Sequence, residues 1–179
     1  MHISQPGRRD RNVLAAWAIA VADAVRSAAE QSTGLGGDAP AALVAIVADP
    51  GLSIDDLRRV LDLTHPGTVR LVDRLAERGW IRREQGTGRK LRLEATAAGQ
   101  DAERRLAAAR EEAVAALLTV LPDQDIRTMA DLVSPVLAAT RENAGDMRRL
   151  CRLCDRDACE PCPAEKPLGS RQPSDTAGM

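Results

Sequence analysis

The 179-residue chain contains no Phe and no Tyr, and its only tryptophans are Trp17 and Trp80. A core made without large rings has to come from Leu, Val, Ile and Ala. Leu and Ala are among the strongest helix formers, so a chain rich in them is predicted to be mainly α-helical. The hydrophobic fraction of 44% is enough for one core, and the length fits one domain with tails.

Periodicity and punctuation place the elements. Residues 1–10, with Pro6 and Gly7, read as a loose arm. Over residues 11–31 the apolar positions Val13, Trp17, Ala20, Val21, Ala24 and Ala28 recur at helical steps, until Gly34, Gly36 and Gly37 interrupt them. Asp38 and Pro40 open a second helix through Leu43, Val44 and Val47, which Asp49-Pro50-Gly51 closes. Ser53-x-x-Asp56 has the spacing of a capping box, with Leu57, Val60 and Leu61 as the buried stripe behind it. Thr64 caps the next helix, which stops at Gly79. Residues 80–84 and 90–94 then flank a Gly-containing loop as a hairpin, with Leu91 and Leu93 on one face. A long helix follows from Thr96, and Pro122 separates it from a last one in which Pro135 should cause a kink or a break. Residues 163–179, rich in Pro, Gly and Ser, are expected to be disordered.

Helix, turn, helix and hairpin in that order make a winged helix-turn-helix. Projected at about 100° per residue, Thr68, Leu71, Val72 and Leu75 share one arc of the second helix. Pro66, Val69, Arg70, Asp73, Arg74 and Glu77 share the other. The net charge is only -1, but between Pro66 and Arg92 eight basic side chains outnumber three acidic ones. Such a local basic face suits phosphates. Arg70 and Arg74 can grip guanine or phosphate, and Val69 can meet a thymine methyl group. Thr64 and Pro66 set the start of the helix, His65 can donate to base or backbone, and Gly67 leaves room for the duplex. Asp73 can hold Arg70 one turn away. Arg89 and Lys90 at the wing tip can reach the minor groove.

The run from Thr64 to Arg83, above all Val-Arg-Leu-Val-Asp-Arg-Leu-Ala-Glu-Arg-Gly-Trp-Ile-Arg-Arg, resembles the recognition helix and first wing strand of the multiple-antibiotic-resistance regulator (MarR) family. Thr96-Ala97-Ala98-Gly99 resembles that family's start to the helix after the wing. The likeness spans residues 11–150, with a DNA-binding core at about 38–95. It implies about six helices and one hairpin wing. It also implies a homodimer formed by the first and last helices, a double-stranded DNA operator, and a repressor that a small-molecule effector, a metal or an oxidant can relieve. The wing tip Gly86-Thr87-Gly88-Arg89 is shorter than the family's usual one and lacks the acidic residue that commonly precedes its arginine.

Outside that pattern lie all four cysteines of the chain, Cys151-x2-Cys154-x4-Cys159-x2-Cys162. Two CxxC pairs this close bring four thiolates within reach of one centre. Zinc is favoured, an iron–sulfur cluster comes next, and a thiol–disulfide switch or unligated cysteines complete the alternatives. Arg148, Arg149, Arg152 and Arg156 are nearby in sequence and are expected to lower the thiol pKa values.

With only His2 and His65 as histidines, no nucleophile–base set and no phosphate loop, an enzyme is not expected. The alternative to a DNA-binding regulator is a metal- or redox-binding winged-helix adaptor that works through protein partners. No apolar run approaches the roughly 20 residues of a membrane span, and a cytoplasmic protein is expected.

Overall fold

The structure is a computed structural model that describes residues 7–86, 91–140, 149–155, 157–159 and 162. Within them the chain forms α1 (Arg8–Thr33), α2 (Ala39–Ala48), α3 (Ile54–Leu61), α4 (His65–Glu77), β1 (Ile81–Gln85), β2 (Leu91–Ala95), α5 (Ala97–Leu118) and α6 (Asp123–Ala139). A 3-10 turn covers Asp157–Cys159.

The core is aliphatic, as the lack of rings requires. Leu43 and Ile46 of α2, Leu57 of α3, Val72 and Leu75 of α4, Leu93 of β2 and Leu106 of α5 are fully buried. In α2 every residue from Ala39 to Ile46 is buried, so this short helix is apolar all round and forms the central post of the lobe. Its alanines let neighbouring backbones come close. The Ser53–Asp56 box forms as read: Asp56 N donates to Ser53 Oγ at 3.2 Å, and Ser53 N donates to Asp56 Oδ2 at 3.3 Å. Asp62 ends α3 in the left-handed region at φ 56°, and turns the chain into α4.

The wing is an antiparallel pair in which Ile81 faces Ala95 and Gln85 faces Leu91. Leu91 and Leu93 share the apolar face that the alternation sets, yet Leu93 is buried and Leu91 is exposed. The reason is a third segment. Leu52 bridges Leu93, with Leu93 N donating to Leu52 O at 2.8 Å, and this covers only the base of the hairpin. Leu91 lies beyond that cover.

The wing and α5 join through one close contact. Thr96 caps α5, accepting from Gly99 N at 3.1 Å and donating to Gly79 O at 2.6 Å. A Cβ on Gly99 would stand 2.0 Å from the Trp80 carbonyl oxygen, so the Thr-x-x-Gly motif has a steric cause.

The long helices are sparsely covered. In α1 only Ala29 and Thr33 are buried, and Val13, Leu14 and Ile19 are exposed. In α6 nothing is buried, and Leu132, Val133 and Val136 face outward. By length and composition alone α1 would be long and apolar enough to cross a membrane, although single charges, Asp23 among them, interrupt its apolar runs. Pro135 neither ends nor splits α6, which continues to Ala139. Residues 141–148, expected to continue the last helix, lie outside the described residues, as do residues 1–6 of the expected arm and the tail 163–179; Arg8–Asp10, read as the end of that arm, are instead the first turn of α1.

Gly99→Ala should lower unfolding free energy by about 3 kcal/mol, because the clash is with backbone that cannot rotate away. Urea denaturation followed by circular dichroism measures this. A change below ~0.5 kcal/mol would mean that α5 can shift along the wing without cost.

Candidate nucleic-acid interface and cysteine cluster

Local chemistry fixes the face that α4 shows to solvent. Thr64 Oγ1 accepts from Gly67 N at 3.3 Å and caps the helix, and Pro66 occupies the first turn. A Cβ on Gly67 would press on Thr64 Oγ1 at 3.0 Å, so Gly67 serves this cap as well as any approach by a ligand. Thr68, Leu71, Val72 and Leu75 are buried, and the Thr68 hydroxyl is satisfied by the Thr64 carbonyl at 3.0 Å. Arg70 and Arg74 are exposed on the opposite side with His65 and Pro66, and Val69 and Asp73 are half-buried. The two arginine side chains have no ion-pair partner among the described residues.

Two side chains behave differently from the sequence reading. Asp73 does not hold Arg70. It forms a short ion pair with Arg83 of β1, tying the helix to the wing. The strand approaches α4 across the Gly79–Trp80 turn, which brings Arg83 nearer than a residue one helical turn away. His65 Nδ1 lies 3.5 Å from Asp55 Oδ1, which couples the first residue of α4 to α3. Arg89 and Lys90 lie outside the described residues.

Arg78 was not singled out in the sequence. Its guanidinium donates to Thr33 O at 3.4 Å and to Gly34 O at 3.3 Å, the exposed carbonyl end of α1. It also lies 5.6 Å from the centre of the Trp80 ring. The partners are more than forty residues apart, and no local pattern announces them.

Six helices and one hairpin, with an arginine-bearing second helix in the helix-turn-helix, match a known arrangement. The fold is that of the MarR family. The family model for MarR matches residues 33–90. Among solved structures, a MarR family transcriptional regulator from Rhodococcus sp. RHA1 is 25% identical, with a TM-score of 0.56, covering 74% of this chain and 97% of its own. Apo MarR from E. coli is 18% identical, with a TM-score of 0.59, over 69% of this chain and 96% of its own. A MarR family protein of Mycobacterium tuberculosis in complex with salicylic acid is 23% identical, with a TM-score of 0.55, over 69% of this chain and 93% of its own. No curated protein matches the chain.

The cysteines lie outside the segment that the MarR model matches. All four are half-buried and free of disulfides. They are neighbours. Burial pushes the Cys151 thiol up to about 12, helped by the charges and hydrogen bonds of Cys154 and Cys162. Burial also raises Cys159, with Cys154 and Cys162 adding to the rise and Arg110 opposing it. For Cys151 and Cys159 this reverses the expectation of lowered thiol pKa values, because burial disfavours the thiolate and the neighbouring thiols add to the effect. The sequence-near arginines are engaged elsewhere: Arg149 pairs with Asp62 at 3.3 Å, and Arg152 donates to Arg149 O at 2.8 Å. Arg148 and Arg156 lie outside the described residues. Among the described residues, the cation that faces the cluster is Arg110 of α5, with Nη2 3.9 Å from Cys154 Sγ. Among the described residues no three His, Cys, Asp or Glu side chains converge closely enough to hold a metal ion. The thiols pack side by side without sharing a centre.

The Asp73–Arg83 pair is partly exposed, so a double-mutant cycle with Asp73→Asn and Arg83→Gln should give a coupling of ~1 kcal/mol or less in chemical denaturation. A coupling well above that would mean that the pair is shielded from water.

Proposed function

We propose that the chain is a MarR-type transcriptional regulator that binds a double-stranded DNA operator as a homodimer and acts as a repressor in the cytoplasm. The family match over the helix-turn-helix supports the regulator, and the exposed Arg70 and Arg74 on a rigidly capped α4 carry the DNA-binding reading. An α-helix fits the major groove, where arginine reads guanine and the basic surroundings meet phosphates. Thr64, His65, Pro66, Gly67 and Val69 fill the helix start, the end that enters the groove first.

Dimerisation is proposed from the uncovered apolar faces of α1 and α6. Val13, Leu14, Ile19, Leu132, Val133 and Val136 form more exposed apolar surface than isolated side chains on a monomer would. A second copy covers them by the same patch on each side. A small-molecule effector is proposed by analogy with the salicylic-acid complex of the M. tuberculosis relative.

Arg70→Ala and Arg74→Ala should each weaken binding to a duplex selected by the protein from a randomised library by ~1–3 kcal/mol, while the fold survives. Fluorescence anisotropy at several salt concentrations measures this and tests whether log affinity falls steeply with log salt. Unchanged affinity in both variants refutes α4 as the reading helix. Separately, Val133→Asp with Val136→Asp should convert the dimer to monomer in analytical ultracentrifugation. A monomeric parent protein would reject the dimer.

A further inference from the structure

Three contacts return the cysteine segment to the DNA-binding lobe of its own chain. Arg149 pairs with Asp62, the residue that turns α3 into α4. Arg110 of α5 reaches Cys154. Leu153, the residue between those two anchors, packs against both apolar clusters, the lobe core and the smaller set of Ala29, Val44 and Leu106. Leu153 lies inside the first CxxC pair, so whatever sets the shape of that turn also sets Leu153. Beside it a crevice of about 670 Å³ opens between α2 and α5, lined by Val44, Ala48, Glu103, Ala107, Glu111 and Cys154 among others.

The sulfurs are adjacent but not convergent. Uptake of a metal must therefore draw them inward, and the turn that moves carries Leu153. We propose that Cys151, Cys154, Cys159 and Cys162 form a tetrathiolate site for a thiophilic metal, either one zinc ion or an iron–sulfur cluster, and that filling it fixes Leu153 between α2 and α5. Metal occupancy then sets how firmly the DNA-binding lobe sits on α5. Each thiol gives up its proton on binding, so a zinc ion with four thiolates carries two negative charges. Arg110 is placed to offset them. No electron transfer is involved. The link to operator affinity rests on the regulator reading above; the metal site and its effect on stability do not.

The test uses the full chain purified anaerobically and analysed for zinc, iron and acid-labile sulfide. About one zinc per chain, or iron with matching sulfide, is expected, and Cys154→Ser should lose it. Cobalt added to the reduced, metal-free chain should give intense thiolate-to-cobalt absorption. Metal removal should lower Tm by about 5 °C or more and weaken binding to the library-selected duplex about tenfold. Leu153→Ala should keep the metal and lose its influence on Tm and on DNA; Leu153→Val serves if Leu153→Ala does not fold. A chain with no zinc, iron or cobalt absorption overturns the site. Metal that leaves without moving Tm, or a Leu153 variant whose Tm still responds in full, overturns the coupling. A metal-loaded chain with the thermal response but no affinity for any duplex refutes the regulator reading and leaves the site standing.

Discussion

The architecture turns on the place where Gly99 lies against the Trp80 carbonyl. At that point the end of α4, the start of the wing and the first turn of α5 occupy a few residues. Trp80 N donates to Leu75 O at 3.1 Å, and Thr96 N donates to Trp80 O at 2.9 Å. A single carbonyl thus closes the base of the hairpin and sets the depth at which α5 leaves it. No side chain can be inserted there without separating backbone from backbone. The direction of α4 relative to the long helices follows from this contact, and only then does the arginine face acquire a defined orientation.

Much of this was legible because it is local. The Ser53 and Thr64 caps, the buried arc of α4 and the start of α5 at Thr96 depend on residues three or four apart, and they formed as read. Leu91 and Leu93 have the same alternation in sequence, but Leu52 covers only one of them. Asp73 could reach a partner on its own helix or across the turn, and only the folded hairpin decides for Arg83. Arg78 and Arg110 find partners more than forty residues away, which neither periodicity nor composition encodes. Of the kink or break expected at Pro135, the break does not occur, since an exposed helix edge tolerates the missing donor.

The cysteine motif shows the same division. Its spacing advertised thiol chemistry, and the sequence placed it after the last helix, beyond the lobe. In the fold it returns to α2 and α5, with Leu153 packed against the core and Arg149 at the helix-turn-helix corner. Its arginine partner comes from another element, and burial raises the Cys151 and Cys159 thiols. A motif that seems an appendage in sequence is thereby part of the packing that supports α2.

Arg78 has a mechanical consequence. It caps the end of the arginine-bearing helix and reaches the carbonyls at the end of α1. Those carbonyls stop at Gly34, whose left-handed backbone (φ 63°) allows the chain to fold back at once. A tilt of the long amino-terminal helix therefore pulls on the carboxyl end of α4 through a single guanidinium, much as a crank turns a shaft through one pin. The pin is hydrogen-bonded rather than covalent, so it can slip under load.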